Sequence, residues 1–114
     1  MPSDGFSWSY VLVGSGDFAA DLLRELMRLG LRPLEILTRT DRPAGRGRRP
    51  SPTSLRSAAI KIGLPVTETP HPRDPSFTAA LERARPDAVL VADYGFLIPR
   101  EILSFPPRGC VNVH

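Results

Sequence analysis

Short β-branched and apolar runs alternate with helix-patterned segments from one end of this chain to the other, and that alternation limits the fold more than any other feature. The stretch "SYVLVGSGDFAADLLRELMRLG" passes from a strand through two glycines into apolar residues at helical spacing: Phe18, Leu22, Leu26 and Leu29, with Leu23 and Met27 beside them. Asp17 is the expected N-cap of that helix and Gly30 its stop. "LEILT" reads as a second strand, Leu55, Ala58, Ala59 and Ile62 as a second helix closed by Gly63, and "LPV" as a brief third strand. A third helix is marked by Phe77, Ala80, Leu81 and Ala84, with Asp74 as cap and Pro75 in its first position. "DAVLVADYG" is continuously hydrophobic, as strands buried on both faces of a parallel sheet are, then "REILSF" gives one or two helical turns and "GCVNV" a fifth strand. Strands that alternate with helices and cross over with the right-handed sense predict an α/β fold, an open parallel sheet with helices on both faces.

A length of 114 residues fits one domain with little room for a second core. Apolar residues at 41% and charged residues at 24% argue for a folded chain. The longest apolar run, Ala88 to Ala92, is far below the ~20 residues that span a bilayer, and the first dozen residues lack a secretory pattern, so a cytoplasmic protein is expected. Cys110 is the single cysteine, which excludes an internal disulfide, and its place in a strand predicts burial. His71, between two prolines with no partner spaced for it, reads as a solvated loop residue.

Three stretches carry chemistry. Gly14-Ser15-Gly16-Asp17-Phe18-Ala19 matches the G-x-G-x-x-A dinucleotide fingerprint between strand and helix, but the second strand ends in Thr38-Arg39-Thr40 with no acid for a ribose. Arg39 instead suits a phosphorylated dinucleotide, which keeps an NADP-binding module open as an alternative; against it, Asp17 would compete with a bound phosphate. The second stretch is "RTDRPAGRGRRPSPTS", residues 39–54. Arg39, Arg42, Arg46, Arg48, Arg49 and the nearby Arg56 meet one acid, Asp41, so although the net charge is only +3 the positive charge is local. Its glycines and prolines exclude a regular element, and the arginines suit phosphate contacts on a nucleic acid better than base stacking. The third is Asn112 and His114. Two residues apart on a strand, they share a face at the carboxyl edge where open α/β sheets place their sites. An amide that can hold an oxyanion beside a histidine that can move a proton suits acyl transfer.

Together these stretches resemble the amino-terminal part of the methionyl-tRNA formyltransferases, within the folate-dependent formyltransferases, from about Val11 to the last residue. "VGSGDFAADLL" is similar to a segment usually read G-T-P-D-F-A and departs from it at Ser15 and Gly16. "TRTDRPAGRGRRPSPTS" resembles the basic loop T-Q-P-D-R-P-A-G-R-G-K-K of the tRNA enzymes, "VADYGFLIP" resembles V-V-A-Y-G-x-I-L-P, and "GCVNVH" resembles G-C-I-N-V-H. Asp93 stands where the family commonly has Ala, which puts a carboxylate beside the expected folate wall.

The resemblance implies transfer of a formyl group from 10-formyltetrahydrofolate, a co-substrate needing no metal, to the amino group of methionyl initiator tRNA. By position in the family pattern, Asn112 and His114 would be catalytic. Tyr94, Gly95, Phe96, Leu97, Ile98 and Pro99 would border the folate, and Arg42, Arg46, Arg48 and Arg49 would meet tRNA. The same resemblance implies that residues 1–114 are a partial catalytic domain stopping after its fifth strand, with its parallel strands in the order 3-2-1-4-5. Residues 1–9 are expected to be disordered, the third catalytic residue, an Asp, lies beyond the chain, and the isolated chain is expected to be inactive. Its last strand is expected to offer a free edge for self-association. A catalytically inactive short RNA-binding protein is the remaining alternative.

Overall fold

The computed structural model describes residues 8–40, 42–43 and 50–113. In chain order the elements are β1 (Tyr10–Gly14), α1 (Asp17–Arg28), β2 (Glu35–Arg39), β3 (Arg42–Pro43), β4 (Pro50–Ser51), α2 (Ser54–Ile62), β5 (Val66–Thr69), α3 (Pro75–Ala84), β6 (Ala88–Ala92), α4 (Arg100–Leu103) and β7 (Cys110–Val113). Five of the strands form one sheet in the order β5-β2-β1-β6-β7, every neighbouring pair parallel. This is the expected 3-2-1-4-5 order, with the first strand at the centre.

Alternation along the central strands divides the core in two. Val11, Val13, Leu37, Val89 and Val91 point to one face and pack with Phe77, Ala80 and Leu81 of α3 and Ile102 of α4. Leu12, Ile36 and Ala92 point to the other and pack with Ala19, Ala20 and Leu23 of α1 and Leu55, Ala58 and Ala59 of α2. A strand covered on both faces has no polar side to present, which is why β1 reads as an unbroken apolar run.

Local chemistry sets the helix boundaries. Thr53 caps α2 by accepting the Arg56 amide at 3.0 Å, and Gly63, at φ 95°, takes the left-handed turn that ends it. Asp74 caps α3 and Pro75 occupies its first turn. At α1 the expectation fails: the helix starts at Asp17, and its N-cap is Gly16, which has no side chain to offer. The third strand also starts later than "LPV" suggests. Leu64 is buried against the α1 and α2 face, the Pro65 carbonyl already accepts from Ile36, and pairing of β5 with β2 runs from Val66.

Two further differences concern segments expected to be irregular. β3 and β4 form a two-residue antiparallel ladder, Arg42 opposite Ser51 and Pro43 opposite Pro50, inside the stretch read as devoid of regular structure. Ser9, at the end of the stretch expected to be disordered, exchanges hydrogen bonds with Asp87: its amide meets Oδ2 and its hydroxyl accepts the Asp87 amide, each at 2.9 Å. Before it, Trp8 lies under the Arg108 guanidinium, 4.5 Å from the ring centre.

Phe77 is fully buried between α3 and the sheet, so Phe77→Ala should cost about 3–5 kcal/mol, read as a lower urea midpoint. Asp74 supplies a pH-dependent term. Its carboxylate accepts the Ser76 hydroxyl at 2.5 Å and the Ser76 amide at 3.0 Å, and these bonds hold its pKa below the usual 3.8, with the charge of His71 adding to the effect and desolvation opposing it. A lowered folded-state pKa stabilises fully above the unfolded value and is lost as pH falls through the folded one. The stability gap between the native chain and Asp74→Ala should therefore be full at neutral pH and close in strong acid.

Candidate active site

The carboxyl ends of β1 and β6 meet at Gly14 and Ala92, and the approach is too close for a side chain. A Cβ at Gly14 would lie 2.2 Å from the Ala92 carbonyl oxygen and 2.8 Å from the Ala19 Cβ. Past that contact the two chains stay joined: the Asp93 carbonyl accepts the Ser15 amide at 2.9 Å and the Gly16 amide at 3.3 Å, while the Ser15 carbonyl accepts the Leu55 amide at 2.9 Å. Ser15 thus ties three segments together: the β1–α1 turn, the start of α2 where the basic segment ends, and the loop that follows β6.

That loop holds the residues expected to border a folate. Asp93 and Gly95 both have positive φ, 53° and 89°, so the chain turns sharply on either side of Tyr94. Tyr94 is buried, its ring centre 6.2 Å from Phe77 and 5.1 Å from Phe96, and burial raises its phenol well above the ordinary value. It supports the loop from beneath. Leu97 is 94% exposed at the loop's crest, Phe96 and Ile98 are half-buried, and Pro99 is buried as the N-cap of α4. Two buried hydroxyls at this edge, Ser15 Oγ and Tyr94 Oη, have no hydrogen-bond partner among the described residues.

Asp93 opens this loop. Its carboxylate turns to α1, where Oδ2 accepts the Phe18 amide at 3.1 Å. This also weighs against the dinucleotide reading of Gly14-Ser15-Gly16, because the helix terminus that would face a pyrophosphate already carries a negative charge from the protein. Nothing in the sequence pattern links Asp93 with Phe18, 75 positions away.

Asn112 is exposed on β7 and lies opposite Val91 in the parallel register, next to the end of β6. It therefore belongs to the sheet face on which Val91 packs with Tyr94. His114 lies outside the described residues. Cys110, two residues before Asn112, is half-buried: its Sγ lies 3.6 Å from the Ile102 carbonyl and burial raises its pKa, both unfavourable to a reactive thiolate.

The basic segment leaves β2 and returns at α2, on the same edge of the sheet. Its ends are joined by the Thr38 and Thr53 hydroxyls, 2.7 Å apart and buried, and by the β3–β4 ladder. Arg46, Arg48 and Arg49 lie outside the described residues, as does the side chain of Arg42. Arg56 leaves the basic cluster, because its guanidinium forms an ion pair with Glu68. His71 is exposed, with Nδ1 accepting the Arg73 amide. Among the described residues no group of three His, Cys, Asp or Glu side chains could hold a metal, and no helix is long and apolar enough to cross a membrane.

A family model described as formyl transferase matches residues 9–114. The chain belongs to that family. It is 39% identical over 104 residues to the methionyl-tRNA formyltransferase of Pelotomaculum thermopropionicum, which covers 91% of the chain and 33% of that protein. It is 38% identical over 106 residues to the methionyl-tRNA formyltransferase of Syntrophus aciditrophicus, which covers 93% of the chain and 34% of that protein. The chain thus spans about a third of the length of these relatives. Among solved structures, glycinamide ribonucleotide transformylase 1 from Geobacillus kaustophilus superposes with a TM-score of 0.69 at 18% identity, covering 96% of this chain and 58% of that one. The protein of that name from Symbiobacterium toebii gives 0.68 at 20% identity, covering 97% and 53%. These two likenesses carry the fold.

The Thr38–Thr53 contact yields a test of how the basic segment is rooted. Thr53→Val removes a helix cap and strands a buried hydroxyl, and should cost about 1–3 kcal/mol in urea unfolding. Adding Thr38→Val removes the stranded partner and should return part of that loss, leaving the cap term.

Proposed function

We propose that this chain supplies the donor-side and tRNA-contacting part of a methionyl-tRNA formyltransferase: transfer of the formyl group of 10-formyltetrahydrofolate to the α-amino group of methionine on initiator tRNA. The observation that carries the reading is the position of Asn112, an exposed amide at the carboxyl end of β7, beside the end of β6 and the loop 93–99. Attack of an amine on a formyl carbonyl builds negative charge on its oxygen, and a fixed side-chain N–H at a strand end is the kind of donor that stabilises it. In this mechanism Asn112 donates to that oxygen and His114 accepts the proton that the attacking amine releases; collapse of the tetrahedral intermediate then breaks the bond from the formyl carbon to N10 of the folate, and N10 takes the proton back from the imidazolium as tetrahydrofolate leaves. Tyr94, Gly95, Phe96, Leu97, Ile98 and Pro99 form the wall against which the folate rests. Residues 93 and 95 fix the shape of the wall, and the Tyr94 ring fills the space behind it. Neither step calls for a metal ion.

Choice of acceptor falls to the basic segment. The loop enters and leaves on the edge that carries Asn112, so Arg42, Arg46, Arg48 and Arg49 would engage the phosphates of the acceptor end while the aminoacyl group reaches the formyl carbon. A tRNA acceptor is supported by the names of the two relatives at 38–39% identity.

A chimera tests this directly. With residues 9–114 replacing the matching third of the Pelotomaculum thermopropionicum protein, formylmethionyl-tRNA should form, and Asn112→Ala should lower kcat by about 10²–10³, the usual loss for an oxyanion donor. Formylation of glycinamide ribonucleotide in preference to methionyl-tRNA would overturn the assignment of acceptor, and an unchanged kcat in Asn112→Ala would remove Asn112 from the chemistry.

A further inference from the structure

Gly16 and Asp93 are separated by 77 residues, yet each occupies the space the other leaves. A Cβ added to Gly16 would lie 2.3 Å from Asp93 Oδ2 and 2.9 Å from its Cγ, so the carboxylate sits where any larger residue at 16 would place its first carbon. Nothing in the backbone calls for glycine at this position. At φ −84° and ψ −166° Gly16 is in extended conformation open to every amino acid, unlike Gly95 with its positive φ. The three atoms nearest to an added Cβ at 16 all belong to Asp93.

Asp93 in turn does for α1 what Gly16 cannot. An N-cap side chain normally accepts the amide of the second or third helical residue, and Gly16 has none. Asp93 Oδ2 accepts the amide of Phe18, the second residue of α1, while its carbonyl accepts the amides of Ser15 and Gly16. One residue beyond the end of β6 therefore satisfies three amides of another strand–helix turn, those of residues 15, 16 and 18, and it does so from a left-handed conformation, φ 53°, that aspartate tolerates better than most residues. These positions are also two at which the sequence departs from the pattern it resembles, G-T-P at 14–16 and Ala at 93. In the fold the two departures are a single contact.

We infer that Gly16 and Asp93 form an interlock in which Asp93 caps α1 from across the sheet and thereby sets the position of loop 94–99, making Asp93 a positioning residue for the donor side of the site. The role in donor binding rests on the reading of that loop as a folate wall; the interlock itself does not.

The full chain tests the interlock in four forms: native, Gly16→Ala, Asp93→Ala and the double variant, with unfolding midpoints read in urea. Gly16→Ala should lower the midpoint when Asp93 is present and lower it much less when residue 93 is Ala, since the methyl then has room. The strain of Ala at positive φ and the lost cap cancel around the cycle. Equal losses from Gly16→Ala in both backgrounds would overturn the interlock. Amide exchange gives the positioning readout. Asp93→Ala should speed exchange at Phe18 and at residues 94–96 by about fivefold, the factor implied by loss of a helix cap, and Asp93→Asn, which keeps an acceptor oxygen, should restore it. Unchanged exchange in Asp93→Ala, or no recovery in Asp93→Asn, would refute the positioning role. In the chimera described above, Asp93→Ala should raise KM for the formyl donor several-fold with little change in kcat. An unchanged donor KM would refute the link to donor binding, whereas a chimera without formyl transfer would count against the proposed function and leave the cycle to decide the interlock.

Discussion

The contact of β1 with β6 at Gly14 is the constraint from which the carboxyl edge is built. Because the Ala92 carbonyl fills the space of a side chain at residue 14, the two strands run side by side to their last residues. The turn after β1 and the loop after β6 then emerge close enough to share hydrogen bonds. Ser15 and Gly16 bind the Asp93 carbonyl, and Leu55 binds Ser15, so the start of α2 is drawn in as well. Remove the close approach and the loop that carries Tyr94, the amino end of α1 and the root of the basic segment lose their common anchor. Asn112 depends on it at one remove, since its register is set by Val91 of β6.

Two kinds of order coexist at this edge. Beneath it the core is apolar and closed: Val91, Phe77 and Ile102 on one face, Leu12, Leu23 and Leu55 on the other. Above it the chain is shaped mainly by backbone hydrogen bonds and by residues with positive φ. An open sheet makes this division possible, because helices cover its faces and leave the strand ends to loops. Tyr94 joins the two levels, its ring belonging to the core and its neighbours on either side to the loop.

The sequence made the architecture legible because the architecture follows from periodicity. The five principal strands and the helices marked by Leu22, Leu55 and Phe77 follow from apolar spacing, and the parallel sheet from the handedness of crossovers, whereas the strand order came with the family resemblance. Caps were legible where the capping side chain is local, as at Asp74, and illegible at α1, where the cap comes from Asp93 in another part of the chain. The same limit explains why Arg56 was counted with the basic cluster although Glu68 pairs with it. The two-residue β3–β4 ladder was hidden by its composition, arginine, proline and serine, which favours no strand. Asn112 was legible in part: alternation on a strand gave its face, and only the register with Val91 gave its neighbour.

The pinned ends of the basic segment have a further consequence, in chain entropy. A loop pays for closure according to its length, but only as a logarithm, about 0.6 kcal/mol for each doubling. With Thr38 and Thr53 holding the two ends together and α2 capped by the same hydroxyl, that cost is met by the core whatever lies between. The residues between them are then free to lengthen, shorten or change charge at almost no expense to the sheet. The sheet edge and the segment that leaves and rejoins it can then be altered separately, because changes between Thr38 and Thr53 leave the strands as they are.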